Sequence, residues 1–196
     1  MRRVLLLVLC AALHGESLFD GKSLGGWRET KFATPGAVKV ENGTIVLEAG
    51  EPLTGITWTR EFPKTNYEIT WEAQRVKGGD FFASLTFPVD DTFCTFVTGG
   101  WGGDIIGLSS IDGWDASENE TRTYFKFDVG KWYAFKVRVT PGRIEAWIDG
   151  KQVQDLDYTD RKISLRFGEI ERSAPLGIAS YYTTAALRKI EYKTVE

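Results

Sequence analysis

Alternation with a period of two runs through most of this chain, and apolar residues almost nowhere recur at helical spacing. In NYEITWEAQ, Tyr67, Ile69, Trp71 and Ala73 fall on one side and Glu68, Thr70, Glu72 and Gln74 on the other. That pattern is an antiparallel strand with one wet face. VKVENGTIVLEA reads as a hairpin turning at Asn42-Gly43, and RVTPGRIEAWIDGKQVQDLD supplies two more turns, at Pro141-Gly142 and Asp149-Gly150. GITWTREF, DFFASLTF, TFCTFVT, DIIGLSS, TRTYFKFD, WYAFKVRVT, LGIASYY and LRKIEYK are further strand segments. Roughly a dozen short strands separated by glycine turns predict an all-β fold, a jelly-roll β-sandwich of two antiparallel sheets.

The first fifteen residues stand apart from this pattern. Arg2 and Arg3 precede an apolar run from Val4 to Leu13, shorter than the ~20 residues that span a bilayer. Residues 1–15 therefore read as a secretory signal peptide, with Gly15 and Ala12 as rival cleavage sites and Leu9 arguing against a lipoprotein anchor at Cys10. Residues 16–196 are then a single jelly-roll domain, long enough to bury a core. Secretion or delivery to a periplasm is the expected location, with no membrane association after cleavage.

Three features of composition narrow the function. The whole chain carries a formal charge of −3, and about −5 once the two leader arginines are set aside, so nucleic acid is not an expected partner. Only Cys94 lies beyond the leader, so no internal disulfide forms and a buried thiol is expected. The single histidine, His14, lies inside the leader, which removes Ser/His/Asp and Cys/His nucleophile systems and histidine-bearing zinc sites. A divalent metal with oxygen ligands remains a candidate cofactor, although no EF-hand spacing is present.

The segment GGWGGDIIGLSSIDGWDASENET, residues 99–121, packs six glycines, two tryptophans and five acidic residues into one stretch. Its end, from Leu108 to Thr121, is the longest connection without strand character, and such loops often carry function. Indoles that cover sugar C–H faces and side chains that take hydroxyls make this a candidate carbohydrate-binding rim. Trp101, Asp104, Trp114, Asn119 and Arg122 are its candidate binding residues, with Glu118 as a candidate catalytic carboxylate. Trp147 stands in the polar register of RIEAWIDG beside Glu145, which suits a sugar platform, and Glu72 lies on a wet strand face. Glu72, Glu118 and Glu145 are the candidate acids and bases, since paired carboxylates carry glycoside cleavage. Trp27, Trp58, Trp71 and Trp132 sit in or beside apolar strand patterns and are expected in the core.

SLFDGKSLGGW, followed in order by VENGTIVLE, TREFPKTNYEITWEAQR, KWYAFKVRVTPGRIEAWIDGKQV and LGIASYYTTAALRKIEY, resembles the 3-keto-disaccharide hydrolase family over nearly all of the chain beyond the leader. The resemblance implies a concanavalin A-like jelly roll and action on glycosides whose ring carries a ketone at C3. That ketone acidifies the C2 proton, so a base removes it, the glycosidic oxygen leaves, and water adds back. The family pattern usually places a histidine where this chain has Ala146, Gln-Asp-His-Gly where it reads Ala179-Ser180-Tyr181-Tyr182, and an arginine where Ala83 and Ser84 follow the paired phenylalanines. No family site residue is therefore carried over. Two functions follow as expectations: a 3-keto-glycoside-cleaving enzyme, or a non-catalytic carbohydrate-binding module on the same scaffold. A structural or protein-binding role on this fold is the third.

Overall fold

The computed structural model describes residues 15–196, so the leader before Gly15, with the rival cleavage site at Ala12, lies outside the described residues. Fifteen strands and one short 3-10 helix follow in chain order: β1 (Glu16–Ser17), β2 (Trp27–Glu29), β3 (Val38–Glu41), β4 (Thr44–Leu47), β5 (Leu53–Trp58), β6 (Tyr67–Lys77), β7 (Ser84–Val89), β8 (Thr92–Gly100), β9 (Ile105–Ser109), β10 (Thr123–Tyr124), β11 (Trp132–Thr140), β12 (Arg143–Ile148), β13 (Lys151–Asp157), the helix η1 (Glu169–Ser173), β14 (Gly177–Tyr181) and β15 (Thr184–Thr194). They form two antiparallel sheets, so the two-sheet jelly-roll sandwich expected from the alternation is what the chain builds. The first sheet runs β13-β12-β11-β6-β15-β4-β3 with β1 added to β15, and the second runs β10-β9-β8-β7-β14-β5-β2.

The alternation dictates which residues meet between the sheets. Tyr67, Ile69, Trp71 and Ala73 of β6 are fully buried against Phe135 and Val137 of β11, and Leu85, Phe87, Cys94 and Phe96 face them from the second sheet. Trp71 and Phe135 stack at 5.2 Å, and Phe82, Phe125, Phe127 and Tyr133 close one end of the sandwich with edge-to-face and tilted contacts. The other end is closed by the opening signature. Asp20 accepts from the backbone N–H groups of Lys22 and Ser23, and Trp27 donates its indole N–H to the Leu18 carbonyl and packs edge-on against Trp58.

All three expected hairpins are present, joining β3 to β4, β11 to β12 and β12 to β13. Several strands are shorter than their sequence patterns. β5 stops at Trp58, β7 begins only at Ser84 because Ala83 adopts φ 53°, and TRTYFKFD contributes just Thr123–Tyr124. Trp27, Trp58 and Trp71 are buried as expected, but Trp132 is not. It shares the outward register of Ala134 and Lys136, half-covered by the Arg188 guanidinium at 4.0 Å.

Candidate functional site

Outward-facing side chains of the second sheet form the floor of the larger groove. Thr95 and Val97 of β8, Ser109 of β9, Leu53 of β5 and Tyr181 of β14 alternate with the core residues of the same strands. Loops raise its walls: Asp80-Phe81 before β7, Trp101 in the turn between β8 and β9, and Arg166-Phe167 running into η1. The enclosed space is about 430 Å³. Phe81 and Tyr181 lie 5.4 Å apart, Trp101 is 41% exposed and Phe167 is 93% exposed, so aromatic surface is presented to whatever enters.

Polar groups converge on the same floor. Thr86 and Thr95 share a hydroxyl hydrogen bond of 3.0 Å, and Asp115 accepts from the Ser109 and Ser110 hydroxyls at 3.3 and 3.2 Å. The second Asp115 oxygen meets Arg166 Nε at 3.2 Å, and among the described residues the outer end of that guanidinium has no acceptor. Asp80 and Glu169 are the groove carboxylates. Asp80 accepts from the backbone N–H groups of Phe81 at 2.7 Å and Gly102 at 3.4 Å, and Glu169 accepts from Ala33 N–H and Arg172.

Trp101 stands at the tip of Gly100-Trp101-Gly102-Gly103 with φ +48°, followed by glycines at +95° and +110°. Behind this turn lies Arg75, which continues the inward register of β6 and is buried. Its guanidinium donates to the carbonyls of Gly103, Asp80, Gly99 and Phe127 at 2.9 to 3.4 Å and covers the Phe82 ring at 4.9 Å. Burial pushes its proton affinity down, and the charges of Asp104 and Asp80 oppose that.

Of the residues expected on a sugar-facing rim within 99–121, only Trp101 lines this groove. Trp114 is 58% exposed on the turn beyond β9, outside it. Asn119 is consumed by scaffold: its amide N–H2 donates to Leu108 and Trp114 carbonyls, and its oxygen accepts from Thr121. Arg122 donates to the Ser117 carbonyl, Asp104 holds Phe125 through its backbone carbonyl, and Glu118 is exposed. The physical reason is packing. Ala116 is buried over Gly107, where an added Cβ would stand 3.0 Å from the Ala116 Cβ, so the loop lies down on β9 instead of framing a cavity.

Glu72, Glu145 and Trp147 do share one surface, the outer face of the first sheet on the far side of the sandwich. Glu72 and Trp147 line a separate groove of about 270 Å³ there, whereas Glu145 stands outside it. Cations already occupy these groups. Lys136 Nζ sits 3.8 Å over the Trp147 ring, Arg188 and Lys189 each reach Glu72 at 2.7 Å, and Glu145 is held by Arg138 and Gln152. Burial pushes the Glu72 carboxyl up, but the hydrogen bonds from Lys189 and Arg188 outweigh it and leave the group below the usual range. A carboxylate so paired is a weak base, and a ring so covered is a poor platform. Among the described residues, no group of three or more His, Cys, Asp or Glu side chains is placed to hold a metal ion.

Sequence reasoning missed Arg75, Asp80, Phe81, Arg166, Phe167 and Tyr181. Arg75 had a signal, a cation in the inward register of β6, and the others lie on connections or strand ends whose approach depends on the sandwich closing.

The sandwich is shared with solved structures at low identity, where likeness speaks for the fold alone. A candidate glycosyl hydrolase from Parabacteroides distasonis ATCC 8503 aligns at TM-score 0.58 and 16% identity over 91% of this chain and 93% of that one. The carbohydrate-binding module CBM66 from Bacillus subtilis aligns at 0.54 and 13% over 86% and 96%. Domain 4 of AbnA, an extracellular arabinanase from Geobacillus stearothermophilus solved with arabinotriose, aligns at 0.56 and 12% over 87% and 83%. No curated protein matches the chain in sequence. The profile of the 3-keto-disaccharide hydrolases matches residues 15–193, nearly the whole sandwich with its closing signature and its groove, and the chain belongs to that family, described as the 3-keto-alpha-glucoside-1,2-lyase-like domain.

Proposed function

We propose that this is an exported carbohydrate-active protein that takes a glycoside into the groove of the second sheet. The observation that carries the reading is the groove itself: about 430 Å³, with Trp101, Phe81, Tyr181 and Phe167 around it and hydroxyls along its floor. That volume falls in the ordinary range for small-molecule sites. A pyranose offers an apolar C–H face to an indole and hydroxyls at its edge, so Trp101 takes the first while Thr95, Ser109, Asp80 and Arg166 take the second. Family membership favours a glycoside with a C3 ketone, and the Arg-Arg-apolar leader favours export, which the N-terminal sequence of the mature protein checks.

Cleavage is the second reading, favoured by membership in a lyase-like family. Asp80 is then the base that removes the C2 proton. The electron pair passes to the C3 oxygen and the Arg166 guanidinium stabilises that enolate; its collapse restores the C3 ketone and forms the C1–C2 double bond as the glycosidic oxygen leaves C1 with the proton Asp80 took up, and water then adds hydroxyl to C1 and a proton to C2. The backbone N–H groups of Phe81 and Gly102 hold the Asp80 carboxylate in place at the groove wall for that role.

One experiment tests both readings. Purified protein is mixed with 3-keto-trehalose, and binding is read by calorimetry while released glucose is followed, with and without chelator. Saturable binding weakened about 10-fold or more by Trp101→Ala but unmoved by Trp147→Ala supports the groove. Turnover lost in Asp80→Asn with binding retained supports cleavage. Equal loss in both tryptophan variants, or none in either, refutes the assignment to this face.

A further inference from the structure

We infer that Arg75, which touches no groove space itself, is the positioning residue that fixes two walls of the groove at once, an inference that rests on the sugar-binding reading of that groove. Arg75 projects from β6 of the first sheet, yet three of its four acceptors belong to the groove's rim. Gly99 and Gly103 flank the turn that carries Trp101, and Asp80 begins the segment that carries Phe81.

The Phe81 wall is also tied by the Asp80 N–H to the Thr183 hydroxyl at 3.1 Å and by the Tyr181 N–H to the Phe81 carbonyl at 2.9 Å, whereas the Trp101 turn has less to hold it. Gly100, Gly102 and Gly103 surround the indole, and glycine gives the chain the widest choice of conformation. Trp101 itself adopts φ +48°, a left-handed conformation disfavoured for a residue with a Cβ. The other restraints on this turn are the β8–β9 ladder that pairs Gly100 with Ile105, the Gly103 N–H to Gly100 carbonyl bond at 3.2 Å and the long contact from Gly102 N–H to Asp80.

An arginine suits the position for a geometric reason. Its planar fork places several donors at fixed angles, so carbonyls from separate segments are held at a set spacing. Lysine has one compact donor head and cannot bridge the same set. Among the described residues no carboxylate forms an ion pair with Arg75, although the charges of Asp104 and Asp80 act on it from farther away, and the Phe82 and Phe127 faces lie 4.9 and 5.7 Å from the guanidinium carbon. A buried cation kept for stability alone would be expected to take a carboxylate partner. This one spends its donors on backbone carbonyls, three of them in the two groove loops and the fourth at Phe127.

The test replaces Arg75 with lysine in the full chain labelled with 5-fluorotryptophan, with the Trp101 fluorine resonance assigned through Trp101→Phe. Expected is a displaced or broadened Trp101 resonance, unchanged Trp27 and Trp58 resonances, and affinity for 3-keto-trehalose reduced about 10-fold. An Arg75→Lys protein with the wild-type Trp101 resonance overturns the inference. Should Arg75→Lys fail to fold, Arg75→Gln removes the buried charge and the guanidinium fork together and is read by the same Trp101 resonance. A moved Trp101 resonance with no saccharide bound even by wild type supports the pinning and removes only the sugar reading. Binding that is intact in wild type and in every variant removes only the pinning.

Discussion

Single residues in this protein take their roles from what crosses over to meet them. Trp147 illustrates the limit of sequence. Its polar register was legible in RIEAWIDG, and it does face outward, but the Lys136 ammonium that covers it arrives from the neighbouring strand β11. Arg75 is the converse case, legible as an inward cation after Tyr67, Ile69, Trp71 and Ala73, yet its acceptors lie 5 to 52 residues away in sequence. Cys94 was fully legible: it is buried among Phe87, Phe96 and Leu108, and burial pushes its thiol up to about 12. A thiol with that value is almost entirely protonated at neutral pH and shielded from reagents. Native protein beyond its leader is therefore expected to give no reaction with Ellman's reagent, and one equivalent in concentrated guanidinium; prompt reaction of the native form would contradict the packing.

At the scale of elements, turns were read from sequence more securely than strand ends. Asn42-Gly43 and Asp149-Gly150 carry φ of 50°, 75°, 49° and 77°, the left-handed pair that a two-residue hairpin of this hand demands. Those dipeptides announce their geometry locally. The end of β7 did not, since DFFASLTF is a continuous strand pattern until Ala83 turns Phe81 out to the groove wall while Phe82 stays in the core. Leu108–Thr121 was legible as a loop but not as a cover over β9, because nothing in its composition says which strand Ala116 will touch. Gly43→Ala is expected to destabilise the protein by roughly 1 to 2 kcal/mol, the cost of left-handed backbone for a residue with a Cβ. Urea unfolding checks this; an unchanged midpoint would mean the β3–β4 hairpin is not formed as described.

At the scale of the whole molecule, the two outer faces have different chemistry. One presents aromatic rings and hydroxyls, the other a mesh of charges in which Glu68, with only 7% of its side chain exposed, is met by Arg138, Lys193 and Lys136. Burial pushes the Glu68 carboxyl up, but the bonds from Arg138 and Lys193 prevail and lower it, as Lys189 and Arg188 do for Glu72. The sign follows. With the folded value below the unfolded value near 4.5, both groups contribute their full stability above that pH and lose it as pH falls through the folded value. Stability is expected to be flat from about pH 6 to 8 on their account and to drop below about pH 4.5. Glu68→Gln is expected to cost about 1 to 2 kcal/mol at pH 7, discounted because its partners are one-third exposed or more in two cases. It should also flatten the acid limb of the urea midpoint plotted against pH, and an unaltered limb would assign acid sensitivity elsewhere.

The position of β15 also governs when this molecule can come into being. Thr184–Thr194 is the last strand of the domain, yet it lies inside the first sheet, between β6 and β4, and carries β1 as well. Until that segment has left the ribosome, the β3–β4 hairpin has no neighbour across the gap and the apolar interior stays open to water. Such distant pairings make assembly slow. A nascent chain held open in that way is one a translocation channel could thread, as the proposed export route requires.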